Sequence, residues 1–153
     1  MIVKIDEMTE GDIDEVLAIE EVSFIAPWSR GLFVKELENR FSHNLLAKRS
    51  GEGPPGIIGY IVFWDVADET HLLDLAVHPD CRRTGVASLL LEKMLAIAGK
   101  GGMRRVILEL RRDNDKALSL YGSFCFKEIG LRKKYYSDGE DAIVMALELE
   151  TGN

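Results

Sequence analysis

The sequence predicts an α/β fold, one mixed β-sheet with helices on both faces. Three observations carry that prediction. An apolar run, Leu72–Val77, is short enough for a buried strand and gives way at Pro79-Asp80 to a basic loop and a long helical pattern. The run Gly99-Lys100-Gly101-Gly102 stops that helix, and a second apolar run, Arg105–Leu110, follows it. A strand, a crossover helix and another strand place the two runs parallel and adjacent. Finally, Ile57–Val66 and Thr70–Val77 are separated only by a short turn at Asp68-Glu69, the pattern of an antiparallel hairpin.

The remaining elements follow in chain order. Ile2–Ile5 alternates apolar and charged residues, as a half-buried strand does. Thr9 precedes a helix that carries Ile13, Val16, Leu17 and Glu20 on one face and runs to about Phe24, with Asp12 in its first turn. Pro27 breaks it, and Ser29 has the character of an N-cap for a second helix through Leu32, Phe33, Glu36 and Leu37 to about Asn39. Asn44–Lys48 reads as a strand, and Ser50–Gly56 (S-G-E-G-P-P-G) as a turn. Val86, Leu90, Met94 and Ile97, with Leu91 and Leu95 beside them, form one apolar helical stripe. A further helix begins near Asp113-Asn114-Asp115 and presents Ala117, Leu120, Tyr121 and Phe124. Two last strands, about Lys127–Arg132 and Ala142–Leu149, are joined by Tyr135–Asp141. No break marks a second domain, so residues 1–153 are expected to form one.

The totals exclude several functions. The 153 residues carry a net charge of -7, which argues against a nucleic-acid binder, since such a protein needs a basic face. The longest apolar run, Gly56–Trp64, is too short to cross a bilayer, and M-I-V-K-I-D-E-M has no secretory pattern. Cys81 and Cys125 are isolated, and His43, His71 and His78 are scattered without metal-ligand spacing. Reduced thiols, a cytoplasmic location, no metal and structural histidines are therefore expected.

Chemistry concentrates after the first apolar run. The first turn of a helix has unpaired N–H groups and the positive end of the helix dipole. Arg82, Arg83, Gly85 and the small Ala87 lie at such a place, where a phosphate could approach the backbone. The alternative is a simple turn with solvated arginines. Glu109 stands among Val106, Ile107, Leu108 and Leu110 in a strand that should be covered on both faces. A buried carboxyl is costly unless paired or functional, and burial would raise its pKa toward that of a general base. The alternative is an ion pair with Arg111 or Arg112, or exposure at a strand end. Asn114 is a candidate N-cap that could also hold a ligand. Tyr121 is either a core residue or a proton donor whose basicity suits a leaving thiolate. Trp28 either packs in the core or faces a ligand from its loop.

Arg82-x-x-Gly85-x-Ala87 after an apolar strand resembles the acetyl-CoA motif of the Gcn5-related N-acetyltransferases (GNAT), whose element order is also the one above. Within that superfamily the chain is similar to the ribosomal-protein-alanine N-acetyltransferases (RimI type). Pro27-Trp28-Ser29, Leu75–Pro79, Leu108–Arg111 with Asn114, Ala117–Tyr121, and Tyr135-Tyr136 followed by Gly139–Met145 carry that likeness. It implies a GNAT-like acyl-CoA N-acyltransferase fold over 1–153, its central sheet mostly antiparallel with one parallel strand pair. It also implies acetyl transfer from acetyl-CoA to a protein N-terminus, by the subfamily the N-terminal alanine of a small-subunit ribosomal protein. The alternatives are a small-molecule amine acceptor and a non-catalytic acyl-CoA-binding module. By the same likeness, Arg82, Arg83, Thr84, Gly85, Val86, Ala87 and Ser88 bind the pyrophosphate. Leu75, Ala76 and Val77 line the pantetheine, with a backbone N–H near Val77 on the thioester carbonyl, and Asn114 touches the cofactor. Glu109 is the base, Tyr121 the acid, and Trp28, Tyr135 and Tyr136 grip the acceptor. No direct nucleic-acid or membrane contact is expected, and the protein is expected to be a monomer or weak homodimer. Ala87 stands where many members have Gly. Phe124-Cys125-Phe126 replaces Leu-Gly-Phe, so the turn there is expected to differ.

Overall fold

The computed structural model describes residues 2–50 and 56–150. The Ser50–Gly56 turn therefore lies largely outside the described residues. The elements are β1 (Ile2–Glu7), α1 (Ile13–Ser23), α2 (Arg30–Glu38), β2 (Ser42–Ser50), β3 (Gly56–Val66), β4 (Glu69–Val77), α3 (Val86–Lys100), β5 (Arg105–Arg111), α4 (Asp115–Ser123), β6 (Lys127–Arg132) and β7 (Ala142–Glu148). They form a seven-stranded sheet of order β1-β2-β3-β4-β5-β7-β6, antiparallel except for β4 and β5.

Local chemistry sets the element ends. A Thr9–Asp12 capping box leads into α1, with the Thr9 N–H donating to Asp12 Oδ2 at 2.8 Å. Ser29 caps α2, its Oγ accepting from the Leu32 N–H at 3.2 Å. Helices cover both faces of the sheet. Ile13, Val16 and Ile19 of α1 and Phe33 of α2 pack with Leu46, Tyr60, Val62 and Ala76. Val86, Leu90, Leu91 and Met94 of α3 and Tyr121 of α4 pack with Ile61, Phe63, Leu72, Val106, Leu108 and Met145. Leu90, Leu91 and Met94 are fully buried. Burying each contributes about 1.5–3 kcal/mol, so packing rather than helix propensity fixes α3. Gly59 is where α3 meets the sheet. A Cβ there would sit 3.0 Å from the Ala76 carbonyl and 3.1 Å from Val86 Cγ1.

The turns after β3 and after α4 each hold a residue other than glycine in the left-handed conformation. The β3–β4 hairpin turns at Ala67-Asp68, with Glu69 already in β4 and Ala67 at φ 55°. Glu69 is held in the strand by its ion pair with Arg105 on the neighbouring β5. After α4, Cys125 adopts φ 70°, a left-handed conformation that a glycine takes more easily.

The feature that positions the site is a bulge in β4. Val62 pairs with Asp74 and Phe63 with Leu72, leaving Leu73 as an extra residue. A bulge bends its strand. On the other side, β4 pairs with β5 only from Glu69↔Arg105 to Leu72↔Leu108. Beyond that point β4 stays with β3 as far as Val77, and β5 stays with β7 as far as Arg111. The two parallel strands splay, and a cleft opens between them.

Candidate functional site

Two cavities share β4 and α4. The first, about 230 Å³, fills the splay and is lined by Glu20, Trp28, Asp74, Leu75, Glu109, Asn114, Tyr121 and Tyr136 among others. The second, about 540 Å³, is lined by Val77, Arg82, Arg83, Gly85, Val86, Ala87 and Ser88 on one side and by Asp115, Lys116, Ser119 and Leu120 of α4 on the other.

The second cavity is suited to an anion. The first backbone bond of α3 runs from the Leu89 N–H to the Gly85 carbonyl, so the N–H groups of Val86, Ala87 and Ser88 have no helical partner. Arg83 (φ 64°) and Gly85 (φ 86°) are both left-handed, which curls the loop around the helix end. A Cβ on Gly85 would meet nothing within 4 Å, so space for a ligand lies directly over the backbone. Phosphate oxygens fit this donor set. Two side chains of the loop have partners within the fold. The Arg82 guanidinium donates to the Val77 carbonyl and to Ser23 Oγ, both at 3.1 Å, and so ties the loop to β4 and α1. The Thr84 hydroxyl donates back to the Cys81 carbonyl. Arg83 is exposed and lines the same cavity.

In the first cavity Asn114 caps α4, its Oδ1 accepting from the Ala117 N–H at 3.1 Å, and it lines the cavity as well. Tyr121 is 8% exposed, packs edge-on against Phe126, and is pushed up by burial first and then by the charge of Asp74. Its phenol is a proton donor at any physiological pH. Trp28 serves both readings. Its ring lies 5.1 Å from that of Phe33, its backbone N–H donates to Glu20 Oε2 at 3.0 Å, and it lines the cavity. Tyr136 borders the cavity with the Arg111 guanidinium 5.1 Å over its ring, and burial is the first cause pushing its hydroxyl up to about 12. Tyr135 is half exposed, stacked under Arg132, and does not line the cavity. Leu75 lines the cleft. Ala76 points into the α1–α2 side of the core, which leaves only its backbone for a ligand.

Glu109 requires a correction. It is enclosed, its side chain 11% exposed, but its pKa is lowered rather than raised. The hydrogen bond to His71, with Nε2 and Oε2 2.6 Å apart, is the largest cause and, with the positive charge of Arg132 at 3.8 Å, outweighs burial. Arg111 and Arg112 are not its partners. Arg111 forks onto Asp138 at 2.7 and 3.1 Å and Arg112 reaches Asp141 at 3.3 Å, pinning the Tyr135–Asp141 loop beside β5. His71, for which a structural role is expected, bonds Glu109 without itself lining the cavity. His43 and His78 are structural, His43 stacked on Phe63 and bonded to Asp65, and His78 accepting from the Asp80 N–H.

The sequence reading also missed Glu20 and Asp74. Glu20, on the buried face of α1, accepts from the Tyr60 hydroxyl at 2.6 Å and from the Trp28 N–H. Asp74 follows the bulge and is 7% exposed, and its Oδ2 has no hydrogen-bond partner among the described residues. Burial first, then the Glu20 carboxyl beside it, raises Asp74 well above the usual carboxylate range. The signal that could have found Asp74 was a lone carboxylate inside Leu72–Val77, read there simply as part of an apolar run. Among the described residues no three His, Cys, Asp or Glu side chains form a metal-binding group, and no helix is long and apolar enough to cross a membrane.

Comparison with known proteins gives concordant likenesses. Residues 13–125 match the family model described as Acetyltransferase (GNAT) family. The [ribosomal protein bS18]-alanine N-acetyltransferase of Escherichia coli (strain K12) is 32% identical over 148 residues, covering 95% of this chain and 97% of the relative. An N-alpha-acetyltransferase of Sulfolobus acidocaldarius is 31% identical over 92% of this chain and 89% of its own. The crystal structure of the ribosomal-protein-S18-alanine N-acetyltransferase from Escherichia coli superposes with a TM-score of 0.88 at 30% identity, over 99% of this chain and 97% of that one. Ard1 from Thermoplasma volcanium gives 0.88 at 26%, over 97% and 98%.

Proposed function

The chain belongs to the acetyltransferase (GNAT) family, and from that premise we propose that it moves the acetyl group of acetyl-CoA to the N-terminal α-amine of a protein. By likeness to its bacterial relatives, the acceptor is the N-terminal alanine of a small-subunit ribosomal protein in the cytoplasm. The observation that carries the reading is the β4–β5 splay, which sets a cavity lined by the Glu109 carboxylate, itself bonded to His71, and by the Tyr121 phenol beside a loop whose open N–H groups suit an anion.

Acetyl-CoA supplies an activated thioester when bound. The N–H groups of Val86, Ala87 and Ser88 and the side chain of Arg83 hold its pyrophosphate. Leu75, Val77 and the free backbone edge of β4 guide the pantetheine through the splay, with Asn114 opposite. Tyr121 donates a proton to the leaving sulfur. Glu109 and His71 accept a proton from the acceptor nitrogen, the carboxylate and imidazole acting as one hydrogen-bonded unit. Trp28 and Tyr136 border the acceptor's entrance, with Tyr135 at its rim.

An α-amine suits this site. At pH 7 an α-amino group of pKa about 7.8 is roughly 10–15% neutral, whereas a lysine at about 10.4 is under 0.1% neutral. The test is a panel of synthetic N-terminal peptides and small amines incubated with acetyl-CoA, the acetylated position being read by mass spectrometry. Turnover on Ala-initiated ribosomal peptides is expected. Turnover on a polyamine or aminoglycoside alone would replace the acceptor assignment.

A further inference from the structure

An ammonium acceptor carries three protons on nitrogen, and the amide product keeps one. Two protons must leave, and the Glu109–His71 unit accounts for one of them. The first cavity holds a second candidate. Asp74 is more than nine-tenths buried, lines the cavity, and has an Oδ2 atom without a partner among the described residues. Glu20 lies beside it and is fixed from two elements, by the Tyr60 hydroxyl of β3 and by the Trp28 N–H in the α1–α2 loop. Burial and the Glu20 carboxyl beside it both make the Asp74 carboxyl hold a proton more tightly than an ordinary carboxylate does. A buried, unpartnered carboxyl oxygen is unfavourable and persists where a ligand satisfies it. A cationic nitrogen is the ligand whose charge and donors complete this one.

Resting on the reading of the site as an N-acetyltransferase centre, we propose that Asp74, braced by Glu20, receives the acceptor's ammonium group and takes its first proton. The ammonium N–H bond breaks and an O–H bond forms on the Asp74 carboxyl, whose charge falls from minus one to zero. The freed nitrogen lone pair attacks the thioester carbonyl carbon. The second nitrogen proton goes to the Glu109–His71 unit, and Tyr121 protonates the sulfur. One proton then returns to solvent after the products leave. The enzyme thereby uses the abundant ammonium form of its acceptor rather than the minor neutral one.

The test compares wild type with Asp74→Asn on one acceptor, an Ala-initiated peptide, at saturating acetyl-CoA from pH 7 to pH 9.5. Asparagine keeps the shape and cannot take the proton, so the variant uses only amine that is already neutral. With roughly 10–15% of the amine neutral at pH 7, kcat/KM is expected to fall about 7- to 10-fold there, and the gap is expected to close toward unity by pH 9.5. The groups facing Asp74 are Glu20 on α1, Tyr60 on β3 and Tyr121 on α4, all unchanged in the variant. Acetyl-CoA affinity by calorimetry is expected to stay within twofold. A loss independent of pH, or no loss at pH 7, overturns the proposal. Asp74→Ser is measured alongside and should show the same closing gap, so the outcome does not depend on one variant folding. If wild type acetylates a small amine and no peptide, the acceptor assignment fails, and the same pH comparison on that amine still decides the role of Asp74.

Discussion

Glu109 and Asp74 are two carboxyls of one cleft whose environments push them in opposite directions. Glu109 has cationic or donating partners in His71 and Arg132, and they hold it ionised. Glu109→Gln keeps the shape and removes the charge. It is expected to lower kcat on the order of 10²- to 10⁴-fold with acetyl-CoA affinity nearly unchanged. A rate within twofold of wild type would remove Glu109 from the chemistry. Asp74 has no cation and stands beside another carboxyl, so its folded-state pKa lies above its unfolded value near 3.9. Between those two values the native state binds more protons than the unfolded chain, and stability falls as pH rises. Asp74→Asn removes that loss. Its melting temperature is expected to exceed that of wild type at pH 8, with the difference nearly gone at pH 4. An equal difference at both pH values would mean that Asp74 does not titrate as described. A variant that gains stability while losing activity is the usual mark of a strained functional group.

At the scale of elements, α3 and β4 do the positioning. The end of α3 is held against the sheet because Gly59 leaves room for Val86 and Leu90, and its N-terminal N–H groups stay open because the residue before them is a left-handed glycine. Gly85→Asp is expected to abolish acetyl-CoA binding in calorimetry, by backbone strain, by bulk in the ligand's space, and by negative charge at an anion site. Unchanged binding would place the phosphates elsewhere. Arg82, the first residue of the motif, braces β4 against α1 through neutral acceptors and keeps its charge beside the second cavity, as Arg83 does. The bulge at Leu73 ends the pairing with β5 and turns Asp74 toward the cavity.

At the scale of the whole molecule, the sheet is weakest where the chemistry lies, since β4 and β5 are joined over four residue pairs only. A ligand bound across that junction stabilises the fold by mass action. Acetyl-CoA at about 100 times its Kd is expected to add about 2.7 kcal/mol, a rise of roughly 5–10 °C in melting temperature for a chain of this size. The same addition should leave Gly85→Asp unmoved. A wild type that does not shift would mean that the cavities do not hold the cofactor. Most of this architecture was legible in the residues. Hydrophobic period, capping residues and glycine stops are local signals, so the element order, the parallel pair, the loop before α3 and the caps at Ser29 and Asn114 followed from the sequence by itself. The partners of ionisable groups were not legible. Whether a carboxyl is raised or lowered depends on what faces it across the sheet, and no spacing along the chain records that. His71 and Arg132 lie 38 and 23 positions from Glu109 yet hold its carboxylate, and Glu20 reaches Asp74 from another layer. Composition and periodicity offered a strand, a basic glycine loop and a helix, a place where an anion could approach the backbone. Only tertiary structure decided which of the cleft's carboxyls is held charged and which is left without a partner, because charge interactions act through space.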